Sequence, residues 1–476
     1  MTEERSAETF DVIVIGAGAV GENVADRAVK GGLSALLIES ELVGGECSYW
    51  ACMPSKALIR PATALKAAQS LAGSREAVSG KIDADAVLKR RNSFTADWHD
   101  DGQVAWVDGA GIKFIRGKAR LTGKLSVDIS APDAGVQSVQ ARYAVVLATG
   151  SQPTLPPFTG LKDIEFWGTR EATSSQRVPE SLIVIGGGVA GAELAQAYAR
   201  LGAKVTQLVR SGLLNVAPAE ARQLVRQAFQ QDGIDLRENT SPRSVSRDSD
   251  GVHVELDGET IHAEELLVAT GRAPALADVG LEGLNLQAYD PAKSHLSTDE
   301  SGRVDGTDWL YAVGDAAGKV LLTHQGKYEA RITGDAIAAR AKGPVESKRW
   351  SKFAQTADEL AVPSVIFTDP EVALVGRNVA QANSDGVRVT EVSLPIAVAG
   401  SSLYADDYQG WAQLVIDAER EVIIGATFAG PDVAELLHSA TIAIVGEVPL
   451  SRLWHAVPSY PTISEVWLRL LEKLGL

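Results

Sequence analysis

Asp11-Val-Ile-Val-Ile15 runs directly into Gly16-Ala-Gly18-Ala-Val-Gly21, and residues 22–30 follow with helix-forming side chains. The β-branched run reads as a buried strand, the glycines as a tight turn and the stretch after them as a helix. A second apolar strand over residues 34–38 ends at Glu39, close to the ~20-residue spacing after the last glycine that dinucleotide-binding βαβ units show. The order recurs further on: a strand over residues 182–185, then Gly186-Gly-Gly188-Val-Ala-Gly191, a helix from Ala192, a strand over residues 204–209, and Arg210. One glycine loop is a weak signal. Two, each with strand, helix and spaced charged residue in place, predict two nucleotide-binding units in series.

A dinucleotide needs a loop whose backbone approaches the pyrophosphate, and a Cβ at the first two glycines obstructs both the turn and the approach. The helix behind the loop adds unpaired N–H groups and the positive end of its dipole. Glu39 can accept hydrogen bonds from a ribose diol, so the first unit is expected to hold an unphosphorylated adenosine such as that of FAD. Arg210 cannot accept; it can pair with a 2′-phosphate, which points the second unit toward NADPH, with NADH as the alternative if Arg210 is only a solvated surface residue.

Each unit is followed by a strand ending in Thr-Gly, residues 144–148 before Thr149-Gly150 and residues 266–269 before Thr270-Gly271-Arg272. Pro153, Pro156 and Pro157 mark a linker, and a helix over residues 325–340 follows Tyr311-Ala-Val-Gly314-Asp315. Beyond Pro344 the pattern changes to strands over residues 364–367, 413–416 and 421–428 and a helix over residues 432–444, which reads as a separate α+β domain. The predicted class is α/β: two Rossmann-like nucleotide-binding domains plus a C-terminal α+β domain.

The 476 residues are 45% hydrophobic and 22% charged, ordinary globular values, and the length predicts roughly three domains. Sixty-one acidic against 45 basic residues give a net charge of −16, which argues against nucleic acid and anionic membrane surfaces as partners. No apolar run approaches the ~18 residues of a bilayer span, and MTEERSAETF lacks a basic-then-apolar signal pattern, so a cytoplasmic, non-membrane protein is expected. The two cysteines lie together in Gly44-Gly45-Glu-Cys47-Ser-Tyr-Trp-Ala-Cys52-Met-Pro54-Ser-Lys56. In a regular helix such positions differ by ~7.5 Å along the axis, beyond the ~4.4–6.8 Å between the Cα atoms of a disulfide. Spacing alone therefore favours two unrelated buried thiols, while an irregular helix start at Gly44, Gly45 and Pro54 leaves a bridge open.

The stretch GGECSYWACMPSKAL resembles the redox-active segment of class I flavoprotein (pyridine nucleotide) disulfide oxidoreductases, the family of lipoamide dehydrogenase, glutathione reductase and mercuric reductase. ATGS at 148–151, GGGVAGAE at 186–193, ATGR at 269–272, YAVGDAAG at 311–318 and PSVIFTDPEVALVG at 363–376 are similar to that family too, in order along nearly the whole chain. The resemblance implies a homodimer with an FAD-binding domain (1–155), an NAD(P)H-binding domain (156–276), a central domain completing the FAD site (277–348) and a dimer-interface domain (349–476). It implies a redox-active Cys47–Cys52 disulfide, with Cys52 facing the flavin and Cys47 the interchange thiol facing substrate. Lys56 would lie near flavin N5 and pair with Glu193, Asp315 would hold the ribityl chain, and the backbone at Ala119 the adenine. Gly45, Thr149, Gly150, Gly271 and Gly314 belong to the cofactor-lining motifs, and no metal site is implied.

Two departures bear on function. In Pro458-Ser-Tyr460-Pro-Thr-Ile-Ser-Glu465 a tyrosine stands where the family pattern has a histidine oriented by the later glutamate. A phenol with pKa near 10 is a poor base, although it can donate a proton; His455 is the alternative proton carrier. Val189 stands where glutathione reductase has a tyrosine, as in mercuric reductase, yet the latter's C-terminal cysteine pair has no counterpart here. The expected activity is an NADPH-dependent, FAD-containing oxidoreductase passing electrons through Cys47–Cys52 to a disulfide, quinone, metal ion or other small oxidant. The alternatives are a dihydrolipoyl dehydrogenase-type enzyme and a non-catalytic flavoprotein sensor or complex subunit.

Overall fold

The computed structural model describes residues 8–131 and 135–476. Residues 1–7, most of the N-terminal stretch that bears on a targeting signal, lie outside the described residues. The chain forms two compact units. One comprises Met1–Met53, Asn92–Thr154 and Arg272–Asp358, the other Pro54–Arg91, Leu155–Gly271 and Glu359–Leu476.

In the first unit the strand Glu8–Ile15 lies parallel between Ala35–Glu39 and Gly135–Leu147. Lys113–Arg116 extends the sheet beyond Ala35–Glu39, and Leu310–Ala312 pairs in parallel with the C-terminal end of Gly135–Leu147. Ser126–Ala131 and Lys118–Gly123 complete it as antiparallel strands. Parallel strands covered on both faces must be apolar at every position, and the run from Val12 to Ile15 meets this requirement. Val12 and Val14 pack with Val24, Ala28 and Ile337 on one face. Ile13 and Ile15 pack with Leu36, Ala119 and Leu147 on the other. The helices Ala19–Lys30 and Thr323–Arg340 touch through small residues: a Cβ on Gly326 would fall 2.7 Å from Val20 Cγ2, and one on Gly334 2.6 Å from Arg27 Cβ. Arg27 closes this contact with a 2.6 Å ion pair to Asp335.

The second unit repeats the theme with a four-stranded parallel sheet in the order Asp235–Glu238, Lys204–Val209, Ser181–Ile185, Glu265–Val268. It also holds an antiparallel sheet, Pro363–Ile366, Glu371–Gly376, Val422–Gly430, Trp411–Asp417, Val389–Pro395, packed under the helices Leu437–Val445 and Val466–Lys473. The helix expected over 325–340 begins at Thr323, and the one expected over 432–444 is a short 3₁₀ turn, Ala434–Leu436, before Leu437–Val445. Helices Ala84–Phe94 and Asp101–Gly109 were not expected, although Asp83 caps the first by accepting from the Ala86 N–H at 3.0 Å. No helix among the described residues is long and apolar enough to cross a membrane.

Candidate active site

The first glycine loop is fixed by its neighbours. Gly16 has φ of +101°, and a Cβ there would overlap the Ala148 carbonyl, so only glycine fits. Gly18 caps the helix Ala19–Lys30, and Gly21 sits in its first turn. Glu39 ends its strand with one carboxylate oxygen on the glycine loop: Oε2 accepts from the Ala17 N–H, while Oε1 accepts from the Glu41 N–H in the turn that follows, each at 2.8 Å. A carboxylate so held keeps lone pairs for a ribose diol. Thr149 Oγ1 donates to the Ala275 carbonyl at 2.8 Å, and the space beside Gly150, where a Cβ would point, holds no atom within 4 Å. Ala119 lies in the edge strand opposite Ile129. Gly314 donates its N–H to Glu329 Oε2 at 2.7 Å. Asp315 accepts from the Ser151 hydroxyl at 2.5 Å; burial raises its pKa, against that hydrogen bond and the charge of Arg272. A glycine-bounded cradle, a loop-held carboxylate and a buried acid at the strand ends fit a flavin dinucleotide.

The cysteines belong to two different helices. Gly45–Tyr49 carries Cys47 and ends, the chain breaks at Trp50 and Ala51, and a new helix, Cys52–Gln69, begins on Cys52 itself. The ~7.5 Å axial separation holds only along one regular helix, and the break between these two helices removes it. The two cysteines are not joined by a disulfide in this structure, and they are close enough to hydrogen-bond to each other. That hydrogen bond, then burial, pushes the Cys47 thiol up, while Thr323 and the charge of Lys327 pull it down. Thr323 Oγ1 also lies 3.3 Å from Cys52 Sγ. Gly45 packs so tightly on Gly18 that a Cβ would fall 2.8 Å from the Gly18 Cα.

In the second unit Lys56 Nζ lies 2.6 Å from Glu193 Oε2. Glu193, 2% exposed, receives a further hydrogen bond at 2.9 Å from the Phe367 N–H, and the Lys56 ammonium stands 4.8 Å from the centre of the Phe367 ring. Gly186 mirrors Gly16, with φ of +133° and a Cβ position that overlaps the Ala269 carbonyl; Gly188 caps the helix Val189–Arg200, which contains Gly191 and Glu193. Arg210 is exposed directly after the strand Lys204–Val209, and Gly271 follows Glu265–Val268 at a neighbouring strand end. Tyr460 is 77% exposed, and His455 is exposed as well. Glu465 is buried and pairs through Oε1 with Arg469 at 2.6 Å, so within one chain it orients neither Tyr460 nor His455. Thr323, Lys327 and Phe367 escaped the sequence reading because they come from segments remote from the cysteine motif.

Residues 10–343 match the family model described as pyridine nucleotide-disulphide oxidoreductase, and residues 362–470 match that family's dimerisation domain. The chain is 31% identical over 468 residues to a mercuric reductase of Shigella flexneri, covering 97% of this chain and 80% of the relative. It is 30% identical over 471 residues to a dihydrolipoyl dehydrogenase of Chlorobaculum tepidum, covering 96% of each. Among solved structures, the Cu(II) complex of the HOCl-induced flavoprotein disulfide reductase RclA from Escherichia coli superposes with a TM-score of 0.83 at 21% identity, covering 98% of this chain and 100% of that one. LpdA from Mycobacterium tuberculosis gives 0.81 at 23% identity, covering 98% and 100%. The chain belongs to the pyridine nucleotide-disulphide oxidoreductases and is a flavoprotein enzyme of that family, which uses FAD and a pyridine nucleotide.

Proposed function

We propose that the protein oxidises NADPH and delivers two electrons to the Cys47/Cys52 pair, from which a small oxidant is reduced. The observation that carries this reading is the contact of the two thiols across the helix break, with the Thr323 hydroxyl on both. The chemistry supplied by bound FAD is two-electron exchange between a reduced pyridine nucleotide and a sulfur pair or small oxidant. Gly16, Gly18, Gly21, Glu39, Gly45, Ala119, Thr149, Gly150, Gly314 and Asp315 would hold it. Cys47 is the thiol assigned to meet the acceptor, and Thr323 positions Cys52. The Lys56–Glu193 pair keeps a cation in a fixed place, since Glu193 is anchored from two sides.

Arg210 supports NADPH, because an exposed guanidinium at this strand end can take a 2′-phosphate with charge-assisted hydrogen bonds. Gly186, Gly188, Gly191 and Gly271 would line the same nucleotide. The dimerisation-domain match and the exposed Ile442, Trp454, Val457 and Tyr460 support a homodimer formed through the C-terminal domain, within a fourfold division into FAD-binding, NAD(P)H-binding, central and interface domains. Thiol titration tests the main reading: oxidised, FAD-loaded protein should show no reactive thiol, and anaerobic NADPH should expose two. Two reactive thiols before reduction would overturn it.

A second reading, direct reduction of a quinone, metal ion or other small oxidant without thiol–disulfide exchange, is favoured by Tyr460, a phenol in place of a neutral-pKa base. Tyr460→His should raise disulfide turnover by ~10²–10⁴ if a proton carrier is what limits it, and leave quinone turnover unchanged. Disulfide turnover already near ~10 s⁻¹ in the unaltered protein, with Tyr460→Phe equally active, would give the tyrosine no chemical role.

A further inference from the structure

Arg210 is followed by Ser211-Gly212-Leu213-Leu214-Asn215, the start of the loop that leads from the strand Lys204–Val209 to the helix Ala219–Gln231. This loop is fastened to the second glycine loop, because the Leu214 N–H donates to the Gly187 carbonyl at 2.7 Å. Leu214 holds a φ of +51°, a conformation that a leucine keeps only where its surroundings impose it. The backbone just beyond Arg210 is thereby fixed against the turn expected to carry the pyrophosphate.

A second guanidinium reaches the same loop from the helix Ala219–Gln231. Arg222 Nη1 donates to Asn215 Oδ1 at 2.8 Å, and Asn215 Nδ2 donates in turn to Ser211 Oγ at 2.9 Å. Arginine only donates, so the Asn215 amide can face it in one orientation alone. A Cβ built on Gly212 would fall 3.3 Å from Arg222 Nη1, which sets this guanidinium beside backbone two residues beyond Arg210. Among the described residues Arg222 makes no ion pair, and its Nε is buried without a hydrogen-bond partner. Glu238, a carboxylate that feels the Arg222 charge, is taken by others: Arg226 donates to it at 2.8 and 2.9 Å and the Leu213 N–H at 2.7 Å. Glu220 shares the first turn of the helix but stands two positions away, where helical side chains do not face each other. A half-buried guanidinium tied to a neutral amide keeps its full charge uncompensated, and an anion arriving beside it would recover that cost.

We propose that Arg222 is a second specificity-determining residue for the 2′-phosphate of NADPH, set in place by Asn215, so that the phosphate is held between Arg222 and Arg210. The proposal rests on the NADPH reading given above. Arg210 is exposed at the strand end, whereas Arg222 is anchored through Nη1 and keeps Nη2 for a phosphate oxygen. Two guanidinium groups on one phosphate give charge-assisted hydrogen bonds that an unphosphorylated ribose cannot make, so the pair discriminates through the phosphate alone. Asn215 is a positioning residue, acting through Arg222.

Calorimetric titration of the FAD-loaded protein with 2′,5′-ADP and with 5′-AMP, which differ only in the 2′-phosphate, tests this without turnover. Arg222→Met should weaken 2′,5′-ADP by about tenfold or more and leave 5′-AMP within about twofold, as loss of a hydrogen bond to a charged group does. Arg222→Lys, which keeps the charge, should recover part of the loss. Asn215→Ala, which frees the guanidinium without removing it, should produce a smaller loss of the same selective kind. A role confined to packing would weaken both ligands together. Should Arg222→Met not fold, Arg222→Gln, which can still donate to Asn215, takes its place with the same selective loss expected. An unchanged affinity for 2′,5′-ADP, or an equal loss for both ligands, overturns the proposal and leaves the NADPH reading standing. Unaltered protein that binds the two ligands alike overturns that reading first, and the proposal with it.

Discussion

The two glycine loops solve the same backbone problem and differ in the side chain that ends the next strand. Gly16 and Gly186 both adopt positive φ, and both press on a carbonyl, that of Ala148 in one case and Ala269 in the other. At the end of the next strand the first unit has Glu39, tied by two backbone N–H groups, and the second has Arg210, exposed. Loop geometry thus serves any pyrophosphate, while one residue at a strand end sets the charge that a particular ribose meets. Breaking the shared part should harm both units alike, and exchanging the differing part should alter selectivity without harming either fold.

The largest effect is expected at the shared glycines. Gly16→Val places a branched side chain into the Ala148 carbonyl at a strained φ, so the protein should lose about 3 kcal/mol or more and purify without flavin; the absorbance ratio at 450 and 280 nm reads this directly. Next comes Arg210→Glu, expected to cut kcat/KM for NADPH by about 10–100-fold, as loss of a charge-assisted hydrogen bond does, and to improve NADH. Equal efficiency with both nucleotides in the unaltered protein would remove the contrast with Glu39. Gly188→Ala sharpens the comparison further, because a Cβ there meets nothing within 4 Å. The unfolding free energy from urea titration should shift by less than about 0.5 kcal/mol, whereas the KM for the nucleotide should rise several-fold if a phosphate occupies that space.

The last effect concerns a buried acid of the first unit, Glu329, which accepts from the Gly314 N–H. Burial, helped by Asp358 and opposed by the Gly314 N–H, raises the Glu329 pKa to about 8. An unfolded chain releases that proton near 4.5 and the folded one keeps it, so stability from this group falls as pH rises from about 4.5 to about 8. Glu329→Gln should flatten the urea-midpoint profile in that window and add about 1–2 kcal/mol at pH 7.5. A parallel profile in both proteins would place the carboxyl's protonation elsewhere.

Strand, loop and helix were legible at Asp11–Gly21 and again at residues 182–191 because parallel strands buried on both faces are apolar without interruption and end in glycine. The C-terminal strands Trp411–Asp417 and Val422–Gly430 were legible too, with ends displaced by one or two residues. What lay hidden was whatever depends on breaks and long-range approach. The spacing of Cys47 and Cys52 implies a long separation only along an ideal helix, and the helix instead ends at Tyr49 with a second one beginning at Cys52. Glu22 left one overlooked trace, a charge on the otherwise small and apolar buried stripe of an amphipathic helix. Thr323, Lys327 and Phe367 left none, since their partners are far away in the sequence.

The way the chain is shared between its two units has a consequence for its synthesis. It passes from one unit to the other five times, and the first is not complete until residue 358. The strand Leu310–Ala312 supplies the neighbour for the C-terminal end of Gly135–Leu147. At ~5–20 residues per second a ribosome leaves that apolar strand edge waiting for several seconds to half a minute, open to other nascent chains. Shielding of this edge by a chaperone, more than the speed of any local helix, is expected to set the yield of soluble protein.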